Sequence, residues 1–369
     1  MARRARKVEE GNEPPPRPDI VEGAPHPAET RHLFGQEAAE AAFLSASRTG
    51  RLPHGWLLRG PAGVGKATLA YRIARAVLAE DAPPGTLEMP KGCPVAARIR
   101  AGSEPGLRVL RRGVNPSTGN LRTEIVVEDV RAIRTFLQQT RPDGGWRGIL
   151  VDPADEMNPN AANAFLKMLE EPPERVLMLL LAHAPSGLLP TIRSRCRSLD
   201  LAPLGPEALA GALAGAGHPV APDQAGAVVA LSGGSVGGAV RLLALGGLET
   251  YARIVAMMEG GRLDRAEMLA LSETREAERA RLMVRLAQTL IARLARAGAA
   301  GSPPEAAPGE GALMADVAVR PAQARLWAEA APRIAGAARH ALAVNLDPAQ
   351  TILDMFLDID AVLARARSA

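Results

Sequence analysis

Three short, continuously apolar runs punctuate the first half of the chain: residues 56–58 (WLL), 149–151 (ILV) and 176–182 (VLMLLLA). Runs this short, without polar alternation and separated by helical patterns, predict strands of a parallel sheet buried between helix layers. Segment 32–48 (HLFGQEAAEAAFLSASR) places Ala39, Phe43 and Ser47 on one face with Ala42 and Ala46 beside them, predicting a helix. Residues 160–171 predict another, with Phe165, Met168 and Leu169 as core and Pro172-Pro173 as its stop. Beyond Leu201 the pattern becomes Ala/Leu-rich helical periodicity broken by Gly233, Gly234, Gly237 and Gly238, and no further strand run occurs.

These shifts divide the chain into a tail (1–30), an α/β domain (31–202), a small helical domain (203–248) and a larger helical one (249–369). The tail joins RRARK to acidic and Pro-rich sequence, a composition expected to stay disordered. In the last part, helices are expected over 279–297 and 322–342, with an apolar-striped segment at 343–366. The low-complexity stretch 297–312 reads as a flexible loop.

Composition narrows the function classes. At 369 residues and 47% hydrophobic, the chain can build two or three ordinary cores. No apolar run approaches the roughly 20 residues of a membrane span, and no apolar segment follows the N-terminal arginines, so a cytoplasmic location is expected. Two cysteines, Cys93 and Cys196, exclude a disulfide framework and a cysteine zinc site, and no metal is implied. The net charge of +4 suits a nucleic-acid partner but is almost all Arg in an Ala-, Gly- and Pro-rich chain, so it carries little weight. An aromatic content of 3% argues against a platform for stacking bases.

The strongest chemical signal is residues 60–68, GPAGVGKAT, which follow a strand run and open a helical pattern. Gly60, Gly63 and Gly65 let backbone N–H groups turn toward phosphate oxygens, and Lys66 reaches the β and γ phosphates. The next position, where a hydroxyl would ligate Mg²⁺, is Ala67, with Thr68 one place too late; a methyl cannot coordinate a hard cation. Asp152 ends the second strand run as a metal-organising carboxylate would, but Pro153 follows it, and Asp155 and Glu156 are displaced.

With these elements in order, and with NAANAFLKMLEEPP at 160–173 and LLPTIRSRC at 188–196, the chain resembles the clamp-loader branch of the AAA+ family. The resemblance runs from about residue 32 to the C-terminus, weakly in the last third. It implies a RecA-like AAA+ domain, a helical lid and an all-α collar that joins a hetero-pentameric ring. The implied partners are gamma/tau motor subunits, a delta subunit and, through the assembly, the sliding clamp and primed DNA. Hydrolysing members carry a Glu after the strand-end Asp, where Pro153 stands, and a sensor-two Arg where Gly237 stands. The strand end LLAHAPS has no clear sensor-one residue, and KGCPVAARIRAGSEPGL keeps Cys93 alone of a four-cysteine zinc module, so zinc is not expected.

The same resemblance makes Arg195 of the Ser-Arg-Cys triplet a trans arginine finger, with Ser194 orienting it, Cys196 a buried small residue, and Arg193 and Arg197 solvated. The expected protein is a polymerase-assembly component whose intact loop and Lys66 could hold ATP or ADP without hydrolysing it, while whether they do is open from the sequence. An ATPase motor subunit of the same assembly is the first alternative, opposed by Ala67, Pro153 and Gly237. A P-loop small-molecule kinase is the second, opposed by the lack of a visible acceptor site or catalytic Mg²⁺ ligands. Lys167 is equally a surface lysine or a contact to DNA phosphate.

Overall fold

The computed structural model describes residues 19–48, 52–79, 82–115, 117–139, 144–260, 262–274 and 276–369. Its α/β part contains α1 (Glu37–Ser47), β1 (Gly55–Arg59), α2 (Lys66–Leu78), α3 (Pro94–Arg100), β2 (Leu107–Leu110) and α4 (Val127–Gln138). It continues with β3 (Arg147–Val151), α5 (Pro159–Glu170), β4 (Val176–Ala182), α6 (Pro190–Arg195) and β5 (Arg197–Asp200). The helical part follows as α7 (Pro206–Gly215), α8 (Ala225–Ser232), α9 (Val236–Ala244), α10 (Gly247–Met257), α11 (Arg265–Ser272), α12 (Ala277–Ala300), α13 (Glu310–Val317), α14 (Pro321–Ala343) and α15 (Pro348–Ser368). Among the described residues no single helix is long and apolar enough to cross a membrane.

The five strands form one parallel sheet in the order β2-β3-β4-β1-β5. β4 is buried along its whole length. Side chains alternate between faces with period two, so Trp56, Leu58 and Leu179 join the core under α1 and α2, while Leu57, Ile149 and Met178 join the core under α4 and α5. Both faces are apolar, which is why the inner strands read as unbroken hydrophobic runs. β2 and β5 escape that pattern because they are edges: β5 buries only Leu199, and β2 only its two terminal leucines.

Helix boundaries have local causes. α5 starts at Asn158, whose Oδ1 accepts from Ala161 N at 2.9 Å, with Pro159 in the first turn, and it ends before Pro172-Pro173. α1 is shorter than expected, and its inward face is Ala39, Phe43 and Ala46, with Ala42 exposed. Residues 19–30, expected in a disordered tail, are packed instead. The Arg75 guanidinium on α2 donates to the carbonyls of Ala28 and Thr30, the Asp19 carboxylate is paired with Arg111 and with His26, and His218 on the loop after α7 bonds the Gly23 carbonyl. Backbone acceptors for buried arginines are what hold this apolar-poor strap. The rest of the expected tail lies outside the described residues.

The expected boundary at 248 falls inside α10, and buried residues from Leu204 through Ala366 form one continuous core spanning lid and collar helices. Leu201 belongs to the sheet core and Leu204 to the helical one, so only Ala202 and Pro203 lie between them. The loop expected over 297–312 is present but shorter, at 301–309. α12 runs to Ala300, α13 begins at Glu310, and the connection is pinned by Glu310, which has no solvent exposure. Its carboxylate accepts from Tyr251 Oη at 2.6 Å, Arg293 Nε at 2.6 Å and Ala306 N at 2.6 Å. Arg293 and Tyr251 hold the Glu310 carboxyl below the ordinary range despite its burial.

Replacing Glu310 with Ala leaves Arg293 and the Tyr251 hydroxyl without their acceptor and is expected to cost about 3–5 kcal/mol in urea unfolding. Because the folded pKa is depressed, this contribution is present above the unfolded value and is lost as pH falls through the folded one; acid unfolding should therefore be shallower in Glu310→Ala.

Candidate nucleotide pocket and the opposite strand edge

All five strands point their C-terminal ends the same way, and the loop 60–65 leaves that end of β1 to enter α2 at Lys66. Two glycines are sterically required. A Cβ at Gly60 (φ +149) would lie 2.2 Å from the Leu201 carbonyl oxygen, and one at Gly63 (φ +79) 2.1 Å from Ser235 Oγ. The second contact exists because α9 docks on the loop, with Val236 N donating to Gly63 O at 2.9 Å. Gln36, a residue that the hydrophobic pattern does not single out, fixes the loop from behind: its Nε2 donates to Val64 O at 3.0 Å and Ala202 O at 2.7 Å, and its Oε1 accepts from Ala202 N at 3.2 Å. The only sequence signal for it is a polar residue standing directly before a helix.

A cavity of about 570 Å³ opens here, lined by residues 62–68, by Asp152 and His183 at the ends of β3 and β4, by the strap, and by Gly237 and Arg241 of α9. Gly63, Gly65, Lys66, Ala67, Thr68 and Asp152 thus converge on one space, while Gly60 is not part of its lining and packs against the Leu201 carbonyl. Lys66 is buried, and its ammonium donates to the carbonyls of Gly60, at 2.6 Å, and Pro61. Desolvation lowers its pKa to about 8, against the opposing pull of Asp152 and Asp155. Desolvation and the nearby Asp19 carboxylate raise Asp152 to about 6. His183 is lowered by desolvation and by Lys66.

The acids displaced past Pro153 are already engaged. Asp155 accepts from His183 N and Ala184 N at 3.0 Å each, capping the end of β4. Glu156 pairs with Arg112 at 2.6 Å. Both carboxylates thus have partners within the chain, and Ala67, which lines the cavity, carries only a methyl. Among the described residues no three His, Cys, Asp or Glu side chains are grouped to hold a metal.

Arg195 lies elsewhere. It ends α6, and its carbonyl oxygen is 3.3 Å from the Cβ position of Gly55, the first residue of β1. The phosphate loop begins at the other end of that strand, on the order of 16 Å away at about 3.3 Å per residue. The guanidinium is 38% exposed; Nη2 pairs with Glu170 at 2.8 Å and Nη1 donates to the Thr191 carbonyl at 3.1 Å. Ser194 donates to the same carbonyl, so Glu170 and Thr191, not Ser194, orient the arginine. Arg197, expected to be merely solvated, lies over the Trp56 ring at 5.5 Å. Cys196 is buried, its thiol pushed up to about 12 by desolvation. Lys167 is exposed on α5.

A strand–glycine loop–helix on a parallel sheet, with an acid ending a neighbouring strand and a helix of the all-helical part docked on the loop, is the arrangement of a P-loop domain. Residues 35–205 match the family described as "DNA polymerase III, delta subunit". The chain is similar to proteins named DNA polymerase III subunit delta-prime: that of Pseudomonas aeruginosa is 40% identical over 208 residues, 55% of this chain and 59% of the relative. That of Bacillus subtilis is 31% identical over 43% of this chain and 45% of the relative. The Escherichia coli DNA polymerase III subunit tau is 31% identical over 47% of this chain and 26% of its own length. The chain therefore spans about half the length of the curated delta-prime relatives it matches.

Asp155→Ala removes the acceptor of two backbone N–H groups and is expected to lower stability by about 1–2 kcal/mol. Asp155→Asn, which keeps one acceptor oxygen, should recover part of it in thermal denaturation.

Proposed function

We propose that this chain acts as the delta-prime subunit of a DNA polymerase III clamp loader, a nucleotide-holding but non-hydrolysing member that lends Arg195 to a neighbouring ATPase subunit. The observation that carries the reading is the separation of the two sites. Arg195 stands at the opposite strand end from its own phosphate loop, so it can serve only a nucleotide bound by another chain. The partners are then gamma/tau and delta subunits, with the sliding clamp and primed DNA reached through the assembly.

In its own pocket, the backbone N–H groups of residues 63–66 and the Lys66 ammonium would hold the phosphates of ATP or ADP, and the start of α2 adds partial positive charge. Lys66 must exchange the carbonyls of Gly60 and Pro61 for phosphate oxygens, a gain for a desolvated cation. Hydrolysis fails for want of a Mg²⁺ hydroxyl at Ala67 and of a free carboxylate beyond Asp152. The same two features separate this chain from a motor subunit, despite its likeness to a tau relative.

At the other edge, Arg195 is a planar donor on a short, rigid helix, able to bind two γ-phosphate oxygens and to stabilise charge developing as the bond breaks. Its present partner is a surface carboxylate, and exposed pairs of this kind are worth about 0–1 kcal/mol. Trading Glu170 for a phosphate is therefore inexpensive.

In the reconstituted clamp loader, Arg195→Ala is expected to cut DNA-stimulated ATP hydrolysis at least about tenfold at equal assembly; an unchanged rate would remove the trans role. For the isolated chain, phosphate binding favours protonated Lys66. Nucleotide affinity should hold below about pH 8 and fall as pH rises through that value, whereas Lys66→Met should be weak and flat by titration calorimetry over pH 6.5–9 (range taken to bracket about one unit or more either side).

A further inference from the structure

The strap brings an acid into the cavity. Asp19 lines the space together with Asp152, Lys66 and Arg241, while its partner Arg111 is not part of the lining. The Asp19 side chain is 6% exposed, and its carboxylate is held by the Arg111 guanidinium and by His26 Nε2 at 2.8 Å. Arg111 directly follows Leu110, whose carbonyl accepts from Asp152 N at 2.9 Å, so the pair stands where β2 and β3 end. The rest of the strap is seated on both halves of the molecule. Val21 Cγ2 lies 3.3 Å from the Cβ position of Gly237 on α9, His218 bonds the Gly23 carbonyl, and Arg75 binds the carbonyls of Ala28 and Thr30.

Asp152 marks a particular part of the site. In P-loop domains the strand-end acid and the loop hydroxyl hold Mg²⁺ against the β and γ phosphate oxygens, so the acid belongs to the γ end of a bound polyphosphate. Here Ala67 removes one of those two ligands, and Asp19 adds a second carboxylate beside the first. Its charge is not cancelled by its partner. Asp152 is pushed up first by desolvation and next by Asp19, and the downward pull of Arg111 on it is weaker than that push. Glu29, the other strap acid of the cavity, is exposed, so solvent and salt screen it. A further phosphoryl charge brought against two buried carboxylates is repelled over a short, partly desolvated distance. A diphosphate has one fewer such group to place there.

We propose that this pocket holds a nucleoside diphosphate in preference to a triphosphate, and that Asp19, presented by the strap beside Asp152, is the residue that discriminates against the third phosphate. The inference rests on the nucleotide-holding reading of the pocket and narrows its ligand. It also gives residues 19–30 a task, since their contacts to Arg75, Arg111 and His218 keep one carboxylate in place.

The test is titration calorimetry of ADP and of ATP, in EDTA, against the full chain and its Asp19→Asn and Glu29→Gln variants, with melting curves as the folding control. The unaltered chain is expected to bind ADP about tenfold more tightly than ATP. Asp19→Asn keeps the side-chain shape and one acceptor oxygen for Arg111, and should bring the two ligands within about threefold of each other by strengthening ATP. Glu29→Gln should leave the ratio unchanged. If the unaltered chain binds ATP as tightly as ADP, the selectivity is refuted and the nucleotide-holding reading stands. If Asp19→Asn leaves the ratio where it was, or weakens both ligands equally, Asp19 only anchors the strap. If neither the unaltered chain nor Asp19→Asn binds either ligand, both readings fall together.

Discussion

The common direction of the five strands organises everything else in the molecule. In a parallel sheet all C-terminal ends share one edge and all N-terminal ends the other, and loops at the two edges cannot mix. The first edge gathers the glycine loop, Asp152 and His183 around one cavity. The second receives α6 and therefore Arg195, held against the start of β1. The glycine loop and the Arg195 guanidinium are thus kept a strand length apart by topology alone. No side-chain motion can bring them together in one chain.

The first edge is built by close backbone approach. Gly60 admits the Leu201 carbonyl and Gly63 admits Ser235, so the loop contacts both the exit of the sheet and the first turn of the lid. Gln36 ties the same regions with three hydrogen bonds from one buried amide. Asp155 caps the end of β4 and Glu156 holds Arg112, so the acids beyond Pro153 fix the surroundings of the loop.

The central strands and the glycine loop were legible because their signals are local: unbroken apolar runs, and a glycine spacing that only a phosphate cradle demands. The edge strands were not, because a strand with one buried residue, such as β5, has no hydrophobic run to show. The strap at 19–30 was misread for a related reason. It is held by Arg75, Arg111 and His218, which lie far along the chain, so composition alone makes it look solvated. The low-complexity stretch before α13 was legible as a connection between helices, but Gly, Ala and Pro give no hint that Glu310 will be buried against Tyr251 and Arg293. At the site, Lys66, Ala67 and Asp152 could be placed from motif spacing. Gln36 could not, because its importance depends on contacts 28 and 166 residues away.

The continuous core from Leu204 to Ala366 has a mechanical consequence. Lid and collar helices share one packed interior, so they form a stiff lever rather than two jointed pieces. The link from the sheet to that lever is Ala202 and Pro203, the first clamped by Gln36 and the second with its φ fixed by its ring. A joint with so few free torsions transmits torque instead of absorbing it. A tilt of the far helices therefore arrives at Gly63, through α9, as strain in the glycine loop.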